Sequence, residues 1–271
     1  MALTSYQFAV TSGGTSNTKG SYTQFVASTP YASSRLHVSL VNSTVVSHFV
    51  LLDIATGGAG VETVVVANLA CYANSSAMFG SGVSLELDLP AGTRIALRTQ
   101  ASATSAVSNI QLWLEDRALA SLASPVTYGA NTATSRGTLV DPGLVANTKG
   151  SYVQLTASTS ARIDVLLLAI TGNGNGATFV NGLVDLATGA AAAETVVIPD
   201  VMYVSNTGGT ALLPEPLLLV LPVSIPAGTR LAARAASSIT TAARMLAISL
   251  IGMQQPATSG GGSAGAVAYV G

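Results

Sequence analysis

Apolar and polar residues alternate along this chain in short segments that are separated by turn-forming residues. Over residues 83–89, Val, Leu, Leu and Leu alternate with Ser, Glu and Asp, and residues 36–41 and 110–114 alternate in a similar way. A period of two residues, with many Thr and Val, is typical of strands that bury one face. No window shows the 3.6-residue period of an amphipathic helix. The pattern predicts an all-β, antiparallel β-sandwich of the jelly-roll type.

Four sequence blocks occur twice, in the same order. They are NTKGSY at 17–22 and 147–152, DxATG at 53–57 and 185–189, ETVV at 62–65 and 194–197, and PAGTR at 90–94 and 226–230. Repeated blocks that span most of a chain indicate repeated structural units. We therefore expect two tandem homologous antiparallel β-sandwich domains.

The repeats set the expected domain boundaries. The first β-sandwich repeat covers 1–117 and the second covers 134–253, with a small polar linker at 118–133 between them. Residues 254–271 form a Gly/Ser/Ala-rich C-terminal tail of linker composition. Two alanine runs could suggest helices, but their places in the repeat predict a loop at 190–193 and a strand at 232–236.

The composition excludes several classes of protein. Charged residues make up 8% of the chain, the net charge is −1, and hydrophobic residues make up 49%. This balance argues against disorder, against nucleic-acid binding and against a polybasic membrane anchor, and no apolar run approaches the roughly 20 residues of a membrane span. A single cysteine, Cys71, permits no intrachain disulfide. Because so little charge opposes self-association, we expect a homo-oligomer or a larger assembly.

Ten charged residues recur at matching positions in the two repeats. The pairs are Lys19/Lys149, Asp53/Asp185, Glu62/Glu194, Arg94/Arg230 and Arg98/Arg234. One interpretation is a ligand site present twice. The other, which we favour, is a set of ion pairs that fix strand register, with Asp53 near Arg94 or Arg98 and Asp185 near Arg230 or Arg234.

Catalytic patterns are sparse in this sequence. The two histidines, His37 and His48, fall on predicted strands, and neither belongs to a zinc or metalloprotease pattern. A formal GxSxG match at 261–265 lies in the tail, without the strand–turn–helix context of a nucleophile elbow. We therefore expect no catalytic, cofactor-binding or metal-binding residues, and we expect that the protein is not an enzyme.

Two pairs of neighbouring acids have the residue types of a sugar-processing site. They are Glu86/Asp88 and Glu115/Asp116, which do not recur in the second repeat. We expect the first pair on a solvated strand face and the second at a strand end.

Two pairs of recurring tyrosines have the residue type of a sugar-binding surface. The tyrosines are Tyr22/Tyr152 and Tyr72/Tyr203, for which packing and sugar stacking remain alternatives.

The succession NTKGSY-x-Q-x-x-AST, D-x-ATG, ETVV and PAGTR-x-A-x-R resembles a module of structural proteins in tailed bacteriophages. The resemblance implies a β-sandwich protein of the virion, associated with the tail or a fibre, that contacts itself and other virion proteins. It implies no catalytic residues. A capsid decoration protein and a carbohydrate-binding module, with a possible glycan partner, are the alternatives. In the tail, Tyr269 and Val270 are the expected anchors to a neighbouring chain.

Overall fold

The structure, a computed structural model, describes residues 3–45, 48–73, 81–115, 123–172, 179–206, 217–241 and 244–254. Within these ranges 18 strands are present. The first unit, residues 3–115, contains β1 Leu3–Thr11, β2 Thr23–Val26, β3 Ser33–Ser43, β4 His48–Thr56, β5 Thr63–Ala73, β6 Ser81–Leu89, β7 Ile95–Ala101 and β8 Val107–Glu115. The second unit, residues 123–254, contains β9 Ala123–Tyr128, β10 Ala130–Asn131, β11 Arg136–Val140, β12 Val153–Thr156, β13 Ile163–Gly172, β14 Phe179–Thr188, β15 Thr195–Asn206, β16 Leu217–Ile225, β17 Leu231–Ser237 and β18 Leu246–Gln254.

Each unit is a sandwich of two antiparallel sheets. In the first unit the strand orders are β1-β8-β3-β6 and β2-β7-β4-β5, and in the second they are β10-β11-β18-β13-β16, with β9 also paired to β18, and β12-β17-β14-β15. The strands β11-β18-β13-β16 correspond in order to β1-β8-β3-β6, and two facing four-stranded sheets are the jelly-roll arrangement, to which the second unit adds β9 and β10. The prediction of two homologous all-β sandwiches is confirmed, as are the loop at 190–193 and the strand at 232–236.

The expected linker at 118–133 is wrong, because it contains β9 and β10, two strands of the second unit. Strand β9 pairs with β18 through Leu250↔Tyr128, β10 pairs with β11, and β11 pairs with β18 through Thr138↔Ile248. Together β9 and β11 take the place that the single strand β1 holds in the first unit, and residues 129–135 are inserted between them. The sequence repeat did not predict β9, because the insertion interrupts the repeat at this point.

Several other expectations concern parts of the chain outside the described residues. These parts include the C-terminal segment from residue 255, with Tyr269, Val270 and the GxSxG match. Asp116 also lies outside the described residues.

Period-two patterning places the core between the two sheets of each unit. In β6, Leu85, Leu87 and Leu89 are buried and Ser84 is exposed, as the alternation predicts. Strand β4 departs from alternation, because every residue from its first to Ala55 is buried. Burial of both faces means that something outside the first sandwich covers this strand.

That cover is the second unit. The outer face of its β11-β18-β13-β16 sheet packs on the first unit, and Leu167, Ile251 and Met253 belong to the same hydrophobic cluster as the first unit's core. A smaller cluster joins Leu51 of β4 and Ala70 of β5 to a residue of β13, Ala169.

Polar contacts add to this interface between the units. The inserted segment receives a hydrogen bond from the Gln100 side-chain amide at the Thr132 carbonyl, and the Ser135 hydroxyl donates to Asn17 Oδ1 at 2.9 Å. The Arg136 guanidinium lies 5.5 Å from the centre of the Phe49 ring. The insertion that interrupts the sequence repeat therefore serves to join the two units.

Candidate functional site

The repeated blocks come together in the first unit around a buried carboxylate. The side chain of Asp53 is 1% exposed, and it accepts hydrogen bonds from Arg98 Nε at 2.9 Å, from Lys19 Nζ and from the Asn68 backbone N–H at 2.8 Å. Asp53 and Arg98 are direct partners in the β4–β7 ladder. The pair therefore ties strand register to a charge contact, because a slip of one residue would leave a buried charge without its partner.

The second unit repeats this arrangement with one more acid. Asp185, also 1% exposed, contacts Arg234 Nε at 2.9 Å and Lys149 Nζ at 2.5 Å. The carboxylate of Asp200 is a second partner of Lys149, at the place that Asn68 holds in the first unit. Burial opposes ionisation of Asp185, but the hydrogen bonds from Lys149, the Asp200 N–H and Arg234 outweigh it and lower the pKa of this carboxyl.

The remaining recurring charges form a second ion pair in each unit. Arg94 contacts Glu62 at 3.2 Å, and Arg230 contacts Glu194 at 3.1 Å. Each arginine also donates to a backbone carbonyl of the turn after the DxATG strand and to a glutamine side chain; these acceptors are Gly57 and Gln24 in the first unit, Gly189 and Gln154 in the second. The recurring charges thus pair with one another, as the register interpretation predicts.

Backbone geometry explains two residues of the NTKGSY block, Asn17 and Gly20. Asn17 adopts a left-handed backbone with φ 61°, a conformation that asparagine tolerates better than most residues. A side chain at Gly20 would meet the Thr11 carbonyl oxygen at 2.0 Å, so only glycine permits this approach of two backbones. The guanidinium carbon of Arg98 lies 4.6 Å from the centre of the Tyr22 ring.

The recurring tyrosines are packing residues in this fold. The ring of Tyr152 is contacted by Arg234 at 4.6 Å, just as Tyr22 is contacted in the first unit. Tyr203 is 3% exposed, and burial raises the pKa of its phenol to about 12. Rings that already pack against an arginine or lie in the core do not form an open platform for a sugar.

A different group of residues lines a cavity in the first unit, and none of its polar members recurs. The cavity lies on the outer face of the β1-β8-β3-β6 sheet and has a volume of about 680 Å³. It is lined by side chains of three neighbouring strands, among them Arg35 and His37 of β3, Ser84 of β6, and Trp113 and Glu115 of β8. We call this group the polar face of the first unit.

Hydrogen bonds hold the polar face in a fixed arrangement. His37 lies between two partners, with Nδ1 2.7 Å from Ser84 Oγ and Nε2 3.1 Å from Glu115 Oε2. Arg35 Nε donates to Glu86 Oε1 at 2.7 Å, and its guanidinium also lies 3.6 Å from Glu115. The Glu115 carboxylate is 6% exposed, whereas the histidine ring is 30% exposed.

Serine, histidine and glutamate in one chain of hydrogen bonds are the residue types of a hydrolase triad. Here the serine contacts Nδ1 and the carboxylate contacts Nε2, the reverse of the serine-protease arrangement. Ser84 also lies within a regular strand. What the geometry provides directly is a set of oriented hydroxyl, imidazole, guanidinium and carboxylate groups beside an indole ring.

The sequence pattern does not bring these residues together. It predicts Glu86 on a solvated strand face, Glu115 at a strand end and His37 on a strand, outside any zinc or metalloprotease pattern. The strand register joins them, because His37 pairs with Ser84 on one side and with Trp113 on the other. The signal available in the sequence was that these polar positions have no polar counterparts in the second repeat.

The other histidine has no part in this cavity. His48 is 3% exposed at the start of β4, and its Nε2 lies 3.3 Å from Ser43 Oγ. Burial lowers the pKa of His48. No group of three or more His, Cys, Asp or Glu side chains that could hold a metal ion was found among the described residues.

The described parts of the chain also contain no helix with the length and apolarity needed to cross a membrane.

The solved structures that align with this chain include several of low sequence identity. No protein-family model matches the chain, and no curated protein matches it. PNGF-II and the PNGase F of Flavobacterium meningosepticum, a glycosylasparaginase, each align over 94% of the chain with a TM-score of 0.40, at 8% and 10% identity. The alignment covers 66% of PNGF-II and 96% of PNGase F.

Two further structures align at lower scores. A tandem CBM22 domain of Paenibacillus barcinonensis Xyn10C has a TM-score of 0.26 at 13% identity, covering 93% of this chain and 86% of that one. The capsid of the virus PBCV-1 has a TM-score of 0.28 at 11% identity, with 93% of each chain covered. Likeness at this level concerns the β-sandwich fold alone.

The prediction that this chain is not an enzyme is contradicted by the first two structures, and we withdraw it. Both are PNGase F-type proteins, and the second is a glycosylasparaginase. The prediction inferred the absence of an activity from the absence of sequence motifs, and side chains from distant strands can form a site without any motif. At 8–10% identity the likeness assigns no activity to this chain.

Proposed function

We propose that this chain is a structural protein of a tailed-bacteriophage particle, associated with the tail or a fibre, that acts through contacts with other copies of itself and with neighbouring virion proteins. The resemblance of its repeated blocks to phage virion modules suggests the setting. The observation that carries the assembly role is an exposed apolar patch on the second unit, formed by Leu183, Met202 and Val204.

The patch corresponds to a surface that is covered in the first unit. Leu183 pairs with Met202 in the β14–β15 ladder, as Leu51 pairs with Ala70 in the β4–β5 ladder. Leu51 and Ala70 are 1% and 4% exposed, because the outer sheet face of the second unit covers them. In the second unit Met202 is 75% exposed.

The side chains at this surface favour association over solvation. Val204 is 52% exposed beside Met202, and a net charge of −1 gives little repulsion between copies. Exposed apolar patches commonly mark interaction sites. The outer sheet face that covers the corresponding patch of the first unit is already buried in that contact. The occupant we propose is therefore the same patch of a second copy, related by a two-fold axis.

Light scattering over a range of concentrations tests the contact. We expect the native chain to form a dimer, and the double variant Met202→Ser, Val204→Thr to remain a monomer. Val220→Thr is the matched control, since Val220 is 59% exposed on the other sheet of the same unit and should leave the mass unchanged. A native chain that is monomeric at all concentrations, or a double variant that still dimerises, would refute the contact.

Immunogold electron microscopy tests the particle role separately. Antibodies against the chain should label the tail or fibres of particles from a lysate of its source. Label confined to the capsid surface would favour the decoration-protein alternative, and particles without label would refute the virion role.

A further inference from the structure

We propose that the polar face of the first unit binds a neutral oligosaccharide, with one sugar ring stacked on Trp113 and its hydroxyl groups bonded to Glu115, Ser84 and Arg35. The cavity belongs to the first unit, whereas Met202 and Val204 belong to the second, and the proposal does not depend on the particle role.

The shape of the cavity results from the sizes of neighbouring residues on one sheet face. Trp113 of β8 lines the cavity together with two small residues, Ser39 of the neighbouring strand β3 and Gly82 of β6 beyond it. A Cβ placed at Gly82 would lie 3.9 Å from Ser39 Oγ and from the Val38 carbonyl oxygen, which is ordinary van der Waals contact, so a side chain is tolerated there. A bulky ring next to small residues forms a wall and a floor, which is what a flat ligand needs.

Two kinds of group meet in this cavity, and a sugar requires both. The face of an indole ring packs against the apolar C–H face of a pyranose, through burial and weak C–H contacts. The hydroxyl groups at the rim of the sugar need donors and acceptors. Glu115 and Ser84 supply acceptor oxygens, and Arg35 supplies donors.

The polar groups are positioned before any ligand arrives. The ring of His37 is held from both sides by Ser84 and Glu115, and Arg35 is held by Glu86. Groups that are fixed in advance lose little conformational entropy when a ligand binds.

Charge indicates which sugars fit. The face carries one permanent positive charge, on Arg35, and two carboxylates, on Glu86 and Glu115. A phosphate, sulfate or sialic acid would meet net negative charge and an arginine that is already paired. An uncharged polyhydroxylated ligand is not repelled by the net negative charge and does not need an unpaired arginine.

The second unit shows that the fold does not need these polar residues. In the β13–β18 ladder Leu167 pairs with Ile251, as His37 pairs with Trp113 in the β3–β8 ladder. The corresponding place of Glu115 is taken by Met253, which pairs with Val165. Leu167, Ile251 and Met253 of this face pack on the first unit. The polar face therefore departs from the repeat at a surface that, in the first unit, borders an open cavity.

The single tryptophan of the chain makes the test direct, since its fluorescence reports only this cavity. Short cello-, malto-, xylo- and chito-oligosaccharides are titrated into the full chain, with sialyllactose and sulfate as anionic comparators. We expect a saturable change of tryptophan emission with at least one neutral oligosaccharide, and none with the anions.

Variants separate binding from folding. Gly82→Leu places a bulky side chain in the cavity lining without removing a polar group, and Ser84→Ala removes one acceptor. We expect binding about tenfold weaker for each variant, measured by calorimetry. Gln7→Ala, an exposed residue of the same sheet outside the cavity lining, is the matched control and should bind as the native chain does. Three outcomes would each overturn the proposal. No neutral oligosaccharide changes the tryptophan emission, the Gly82→Leu variant binds as the native chain does, or an anion binds more tightly than the neutral sugars.

Discussion

The outer faces of two corresponding sheets carry opposite chemistry in the two units. In the first unit the face of β3 and β8 presents His37 and Trp113 to an open cavity. In the second unit the same ladder positions carry Leu167 and Ile251, which are 1% and 4% exposed. One jelly-roll framework therefore supports either a polar open surface or an apolar docking surface, because outward positions on a strand contribute little to the sandwich core.

The repeated ion pairs, unlike the outer faces, are the same in both units. Both units retain the carboxylate of Asp53 or Asp185 with its arginine and lysine partners, although their outer faces have diverged. Charges that hold strand register are tied to the framework, whereas charges on an open face are free to vary between the units.

The largest effect is expected where the apolar docking face is made polar. Leu167→Asn should lower the free energy of unfolding by about 3–5 kcal/mol, because it removes a buried leucine and places an amide at the contact between the units. The same replacement at the corresponding place, His37→Asn, should cost less than about 1 kcal/mol. Urea unfolding followed by circular dichroism measures the free energy of unfolding of both variants. Equal decreases for Leu167→Asn and His37→Asn would show that the two outer faces do not differ in their contribution to stability.

A smaller effect is expected from removing the register carboxylates. Asp53→Asn should cost about 2–4 kcal/mol, since the change leaves Lys19 and Arg98, themselves partly exposed, without a charged partner. Asp185→Asn should cost less, because Lys149 keeps its contact with Asp200. The two variants are compared by the same unfolding experiment, and a larger loss for Asp185→Asn would contradict this comparison.

The smallest effect concerns pH and the two histidines. Burial lowers the pKa of His48 in the folded chain, so the native state binds fewer protons than the unfolded state near the ordinary histidine pKa of about 6.5. Stability should therefore rise with pH through this window and fall as the solution is acidified.

The measurement is the urea midpoint of the native chain and of His48→Gln between about pH 5 and pH 8. The variant should lose part of the pH dependence, whereas His37→Asn should keep the part that belongs to His48. An identical pH profile for the native chain and His48→Gln would remove His48 as the cause.

The expectations that held depended on local patterns and on the repeat. Alternation in residues 83–89 predicted the buried leucines of β6, and the recurring charges predicted a contact of Asp53 with Arg94 or Arg98, which Arg98 makes. The prediction of a linker at 118–133 was wrong, because an insertion interrupts the repeat between β9 and β11. The polar face was missed because Ser84, His37 and Glu115 belong to three strands.

The sequence by itself determined the strand pattern, the duplication and the ion pairs of each unit, because period-two burial and turn formation depend on neighbouring residues and the copies could be aligned. Only the tertiary structure decided which outward faces are covered. Leu51 and Leu183 occupy corresponding positions, yet one is 1% exposed and the other half-buried. The difference arises from the docking of one sandwich on the other, which sums many weak contacts between strands far apart in sequence.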